Sequence, residues 1–92
     1  MTYKLIAMLD SIYDQILEFY GDADQLLFAD GFNEAIIGIS TKTAQVVYSQ
    51  RKIIDILKRE MDEDEATEFF YYNILDAYVG EHTPIFVYDN WE

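Results

Sequence analysis

The 92-residue chain has no cysteine, so neither a disulfide nor a thiolate metal site can form, which fits a reducing cytoplasm. Positive charge is almost as scarce. Six Lys and Arg stand against eighteen Asp and Glu, a net charge of −12. Solubility alone accounts for a magnitude of about 2–8 in a small domain. The excess excludes attraction to nucleic-acid phosphate and to anionic membranes. No stretch approaches the roughly 20 apolar residues of a membrane span. Met1-Thr2-Tyr3-Lys4 has no long apolar run behind it, so no signal peptide is expected. Repeats, linkers and low-complexity segments are missing, and 1–92 reads as one domain.

Apolar material is abundant. Hydrophobic residues make up 51 % of the chain and aromatics 16 %, too much for a disordered acidic tail. The charge therefore sits on a folded body. Residues 3–20 carry Leu5, Leu9, Ile12 and Ile16 at helical spacing, with Gly21 as the C-terminal cap. Residues 21–33 form a connection whose Leu26-Leu27-Phe28 tucks into the core. Strands are expected over 34–40 and 44–48, joined as a hairpin by Thr41-Lys42-Thr43. Gly38 inside the first marks a bulge or the close approach of a helix.

Ser49 caps a helix over about 50–61 with Ile53, Ile54, Leu57 and Met61 inward. Asp62 opens another, Asp62-x-x-Glu65 having capping-box spacing. It runs to about Val79, with Ala66, Phe70, Asn73, Ile74 and Ala77 on its inner face, and Gly80 stops it. Ile85-Phe86-Val87-Tyr88 is a last strand. The expected fold is α+β, in the order helix, strand, strand, helix, helix, strand. Its three-stranded antiparallel sheet has three helices mainly over one face, with the last strand beside the first.

Asp10, Asp14 and Glu18 stand at i, i+4 and i+8 with no lysine on the stripe. Such like-charge neighbours cost about 0.2–0.5 kcal/mol per pair. Each step advances about 6 Å, comparable to phosphate spacing along a nucleic-acid strand. Asp22 and Asp24 extend the band, as do Asp30 and Glu34. A second cluster, Asp62, Glu63, Asp64 and Glu65 with Glu60 and Glu68, is explained largely by helix capping. It lacks the central Gly of a calcium loop. Arg51, Lys52, Lys58 and Arg59 form a basic group that local pairing with Asp55 and the following acids accounts for.

Phe69-Phe70-Tyr71-Tyr72 cannot all face one side of a helix. Phe69 and Phe70 suit the core, while Tyr71 or Tyr72 is left for solvent or a partner. Asn73, in inner-face register, could hold the Gly80–Pro84 turn. His82 is the single histidine and no nucleophile, phosphate loop or ligand cluster accompanies it, so no catalysis and no cofactor are expected.

Ala35-Ile36-Ile37-Gly38, Val46-Val47-Tyr48, Glu65-Ala66 with Phe69-Phe70 and Asn73, and the block Ala77 to Gly80-Glu81 with Thr83-Pro84-Ile85-Phe86 together carry a resemblance. Over somewhat more than half its length the chain resembles a group of small uncharacterised bacteriophage proteins. The first helix lies outside it. The resemblance implies a phage or prophage product in a bacterial host cytoplasm and carries over no site.

The expected function is binding, and inhibition, of a basic, nucleic-acid-handling host protein through a nucleic-acid-like surface, as in counter-defence. The candidate contact residues are Asp10, Asp14, Glu18, Asp22, Asp24, Asp62, Glu63, Asp64, Tyr71 and Tyr72. Direct nucleic-acid or membrane binding is not expected. Two alternatives stand beside this. One is an oligomerising accessory domain, a homodimer in the simplest case. The other is a small-ligand or metal-binding domain around Tyr48, Asn73, Gly80 and Glu81.

Overall fold

The computed structural model describes residues 11–19, 26–77 and 79–91. The first half of the expected opening helix, its Gly21 cap, and Asp10, Asp22 and Asp24 lie outside the described residues. Helix α1 spans Ile12–Phe19. A 3-10 turn, Asn33–Ala35, leads into strand β1, Ile36–Ile39. Strand β2 is Val46–Ser49 and helix α2 follows at once, Gln50–Leu57. Helix α3, Glu63–Phe69, runs on into a π-helical segment, Phe70–Leu75. Strand β3 is Ile85–Val87. The α+β class and the order of elements are those read from the sequence.

Local polar chemistry starts each helix. The Ser11 hydroxyl accepts the Asp14 N–H (3.0 Å) and donates to its carboxylate (2.8 Å) at the start of α1. The Ser49 hydroxyl accepts the Lys52 N–H (3.1 Å), so the expected cap of α2 is present. The capping box of α3 is also complete: the Asp62 carboxylate accepts the Glu65 N–H (2.8 Å) and the Glu65 carboxylate accepts the Asp62 N–H (3.4 Å). Helix α2 is shorter than expected. Arg59 and Glu60 donate to carbonyls three residues back, a tightened last turn that ends the helix.

Strands β1 and β2 form the expected hairpin, pairing Ile36 with Tyr48, Gly38 with Val47, and Ile39 with Val46. The register slips between Ile36 and Gly38, so Gly38 does mark a bulge. Close approach is not its reason, since a Cβ there would meet nothing within 4 Å. The connecting loop closes through the Ser40 N–H on the Gln45 carbonyl and the Ala44 N–H on the Ser40 carbonyl, both 2.8 Å. Closure puts Ala44 at φ 57°, a left-handed conformation that costs an L-residue about 1–2 kcal/mol.

The third strand departs from expectation. The order is β1-β2-β3, with β3 parallel to β2 rather than beside the first strand. Its register pairs Val47 with Ile85, Tyr48 with Phe86 and Ser49 with Val87. A parallel pair needs a long crossover, and residues 50–84, holding α2 and α3, provide one. Long-range contacts select the place of β3. The Tyr48 and Phe86 rings lie 5.6 Å apart, and Phe86 meets Phe70 edge-on at 5.6 Å.

The core joins Ile16, Leu26, Ile36, Val46, Tyr48, Ile53 and Phe70. Middle strand β2 supplies Val46 and Tyr48, both fully buried. A buried phenol needs a partner, and the Tyr48 hydroxyl accepts the Ala29 N–H at 2.7 Å. Burial pushes this phenol up, the Ala29 bond draws it partly back, and nearby Tyr13 raises it further, so it stays neutral. Tyr13 meets Phe28 edge-on at 5.0 Å, tying α1 to the segment entering the sheet.

The π segment explains a second departure. Its wider turn, with hydrogen bonds spanning five residues instead of four, moves the third residue after Phe70 off the core side. Phe70 is buried and Ile74 half-buried, but Asn73 and Ala77 are exposed, contrary to the inner-face expectation. Phe69 is likewise exposed rather than a core residue. The helix ends at Leu75, short of Val79, and Gly80, at φ 119°, belongs to the turn beyond it. Thr83, not Asn73, holds that turn. Its hydroxyl accepts the Val79 N–H (2.9 Å) and donates to the Gly80 carbonyl (2.6 Å).

Candidate functional site

The sequence-derived contact residues fall in two groups on different parts of the fold. Asp14 and Glu18 lie on α1, which packs against β1 and the 3-10 turn. Asp62, Glu63 and Asp64 lie at the start of α3, which packs on α2, with Tyr71 and Tyr72 in its π-helical continuation.

In the first group Asp14 is half-buried, its carboxylate taken up by Ser11 at the helix start. Among the described residues it meets no cation, but part of its placement is capping. Glu18 is exposed. In the second group Asp62 and Glu65 hold each other's backbone, and Glu63 meets Lys58 at 3.4 Å. Asp64 and Glu68 are exposed. Arg59 reaches both carboxylate oxygens of Glu34 at 3.2 Å. Of the basic group, Lys58 is thus answered by Glu63, one of the following acids as expected, and Arg59 by the sequence-distant Glu34, while neither pairs with Asp55. Both pairs are exposed and contribute about 0–1 kcal/mol each.

The aromatic run divides as a surface feature. Tyr72 is 76 % exposed and Tyr71 41 %. Tyr71 packs edge-on against Phe70 (5.2 Å), and its hydroxyl accepts from the Gln50 side-chain amide at 3.1 Å. That bond ties the π segment to the start of α2, where the C-terminal segment also arrives. The Asp89 carboxylate accepts from the Ser49 hydroxyl and from the Arg51 N–H. Burial pushes the Asp89 carboxyl up, but the Ser49 hydroxyl, the Arg51 amide and its own N–H outweigh that effect. With the Arg51 charge added, they hold it below the usual carboxylate range. On either side of Asp89, Tyr88 and Trp91 meet edge to face at 5.1 Å, 51 % and 77 % exposed.

Sequence reasoning missed Asp89, Tyr88 and Trp91. Their one signal was a tryptophan just past the last apolar strand, where a core role was already filled. The small-ligand constellation fares differently. Tyr48 is buried with its hydroxyl bonded to Ala29 while Asn73 is exposed, so the two do not make a common polar site. An apolar groove of about 380 Å³ does exist, lined by Leu27, Phe28, Phe32, Ile74, Val79 and Phe86. Among the described residues there is no group of three or more His, Cys, Asp and Glu able to hold a metal ion. Among them, too, no helix is long and apolar enough to cross a membrane. Compared with known proteins, the chain matches no family model, no curated protein and no solved structure.

Proposed function

We propose that this chain is a non-catalytic interaction protein of the small acidic phage type. It binds and inhibits a basic, nucleic-acid-handling host protein in the bacterial cytoplasm. The observation that carries the reading is the charge left over after internal pairing. Among the described residues the ion pairs are two, Lys58–Glu63 and Arg59–Glu34. Glu18, Asp64 and Glu68 stay exposed outside both pairs, and Tyr71 and Tyr72 stand three and four residues beyond Glu68. Acids beside exposed tyrosines suit a basic protein surface, because charge steers the encounter and the rings supply anchors.

Affinity capture from a bacterial lysate at low and raised salt tests it, with wild-type protein and the triple variant Glu18→Lys, Asp64→Lys, Glu68→Lys. The expected result is basic nucleic-acid-binding proteins that elute as salt rises and are lost with the variant. Capture of neutral or acidic proteins only, or unchanged capture by the variant, overturns the reading. The apolar groove favours a second reading, a binding site for a small apolar molecule, since ligand pockets span about 300–1,000 Å³. Thermal-shift screening with apolar ligands decides it, and the absence of any shift removes its support.

A further inference from the structure

We propose that Tyr88 and Trp91 form an arginine-binding aromatic site, through which the protein grips the guanidinium groups of its basic partner. The inference rests on the function proposed above and names the chemistry of the contact.

Three observations support it. First, Trp91 is the chain's single tryptophan and lies 77 % exposed, outside the core. Its edge-to-face contact with half-exposed Tyr88 leaves ring faces open to a planar group. Second, the pair is held rather than trailing. Asp89, between the two rings in sequence, is bonded through one carboxylate oxygen to the Ser49 hydroxyl and through the other to the Arg51 N–H. Ser49 is fully buried, so this anchor ties the aromatic segment to the interior. A site fixed before binding loses less entropy when a partner arrives.

Third, the charge of the molecule selects the ligand. At −12 the chain draws cations toward its surface and repels anions. A cation over an indole or phenol face is attracted by the ring quadrupole, and guanidinium both stacks on the ring and carries charge. Arg51 and Lys58 line the adjoining cleft, which Asp55 and Glu63 also line, and Arg51 meets Asp89 through its backbone N–H. The surface continues past Asn90 to Gln50, which line one cleft, and from Gln50 to the Tyr71 hydroxyl. A basic segment lying across Trp91 thus meets a second exposed tyrosine.

Trp91 provides its own readout. Full-length protein is titrated at low salt with two peptides of equal length and charge, one arginine-rich and one lysine-rich, following tryptophan emission and heat of binding. The arginine peptide is expected to perturb Trp91 emission and to bind about two- to fivefold tighter than the lysine peptide. Trp91→Ala is expected to erase that preference while leaving the salt-dependent binding common to both peptides. Equal binding of the two peptides with silent Trp91 emission overturns this site but leaves the proposed function standing. No binding of either peptide at low salt overturns both. Trp91→Phe, which keeps a ring, is expected to retain part of the preference, and complete loss with Phe counts against stacking.

Discussion

Toward β1, strand β2 is joined by a loop of six residues, 40–45, and a local backbone ladder. Toward β3, it is joined across sequence separations of 38 and 40 by side chains. The side-chain amide of Gln45 donates to the Thr83 carbonyl at one end of the parallel pair. The Ser49 hydroxyl donates to Asp89 at the other. The hairpin side carries a bulge after Ile36 and a left-handed alanine, and tolerates both because its chain closure is short. The β3 side has only three paired residues, and polar bonds at both ends hold it in place. One edge of the sheet is thus set by local geometry and the other by distant chemistry.

The largest test of that contrast is Ser49→Ala. It removes the cap of α2 together with one of the two bonds that anchor Asp89, and is expected to lower unfolding free energy by about 3 kcal/mol, read by urea denaturation. Asp89→Asn removes the anchor's charge and replaces one of its two accepting oxygens with a donor, and should cost about 1–2 kcal/mol near neutral pH. Its sign with pH follows from the lowered pKa of Asp89 in the folded chain. Such a group stabilises fully above its unfolded value of about 3.9 and loses that contribution as pH falls through the folded value. The gap between wild type and Asp89→Asn should therefore be widest near neutrality, begin to close near pH ~4, and vanish once the folded carboxyl is protonated. A gap that stays constant in acid would break the assignment.

Gln45→Ala, at the other end of β3, is expected to cost about 1 kcal/mol, with β3 amides losing hydrogen-exchange protection before those of β1. The smallest effect lies on the hairpin side and has the opposite sign. Ala44→Gly relieves the positive φ and is expected to stabilise by about 0.5–1 kcal/mol, visible as a raised denaturation midpoint. If Ala44→Gly destabilises, the hairpin loop is not the strained element described.

The same contrast explains what was legible beforehand. Ser49 as a cap, the Asp62–Glu65 box and the bulge at Gly38 all follow from residues within four positions of one another. The parallel placement of β3 does not, because its determinants pair Gln45 with Thr83 and Ser49 with Asp89, and neither Thr83 nor Asp89 carries a local signal for a distant partner. The faces of α3 were legible as far as Phe70. Beyond it the π turn changes the period, and Asn73 and Ala77 leave the side a 3.6-residue repeat assigns them. Of the candidate contact residues, Asp62 and Asp14 were visible as acids, but whether an acid is surplus depends on who holds it. Ser11 takes up Asp14 and Lys58 takes up Glu63, while Glu18 and Asp64 are left exposed.

One oxygen belongs to both sides of this arrangement. The Ser49 hydroxyl closes the first turn of α2 and holds the segment after β3, so detaching β3 disturbs the cap and fraying α2 loosens the strand. The two elements cannot open as independent units. In a chain strained by its own negative charge, that shared atom turns a short strand and a two-turn helix into a single cooperative block, which opens whole or stays closed.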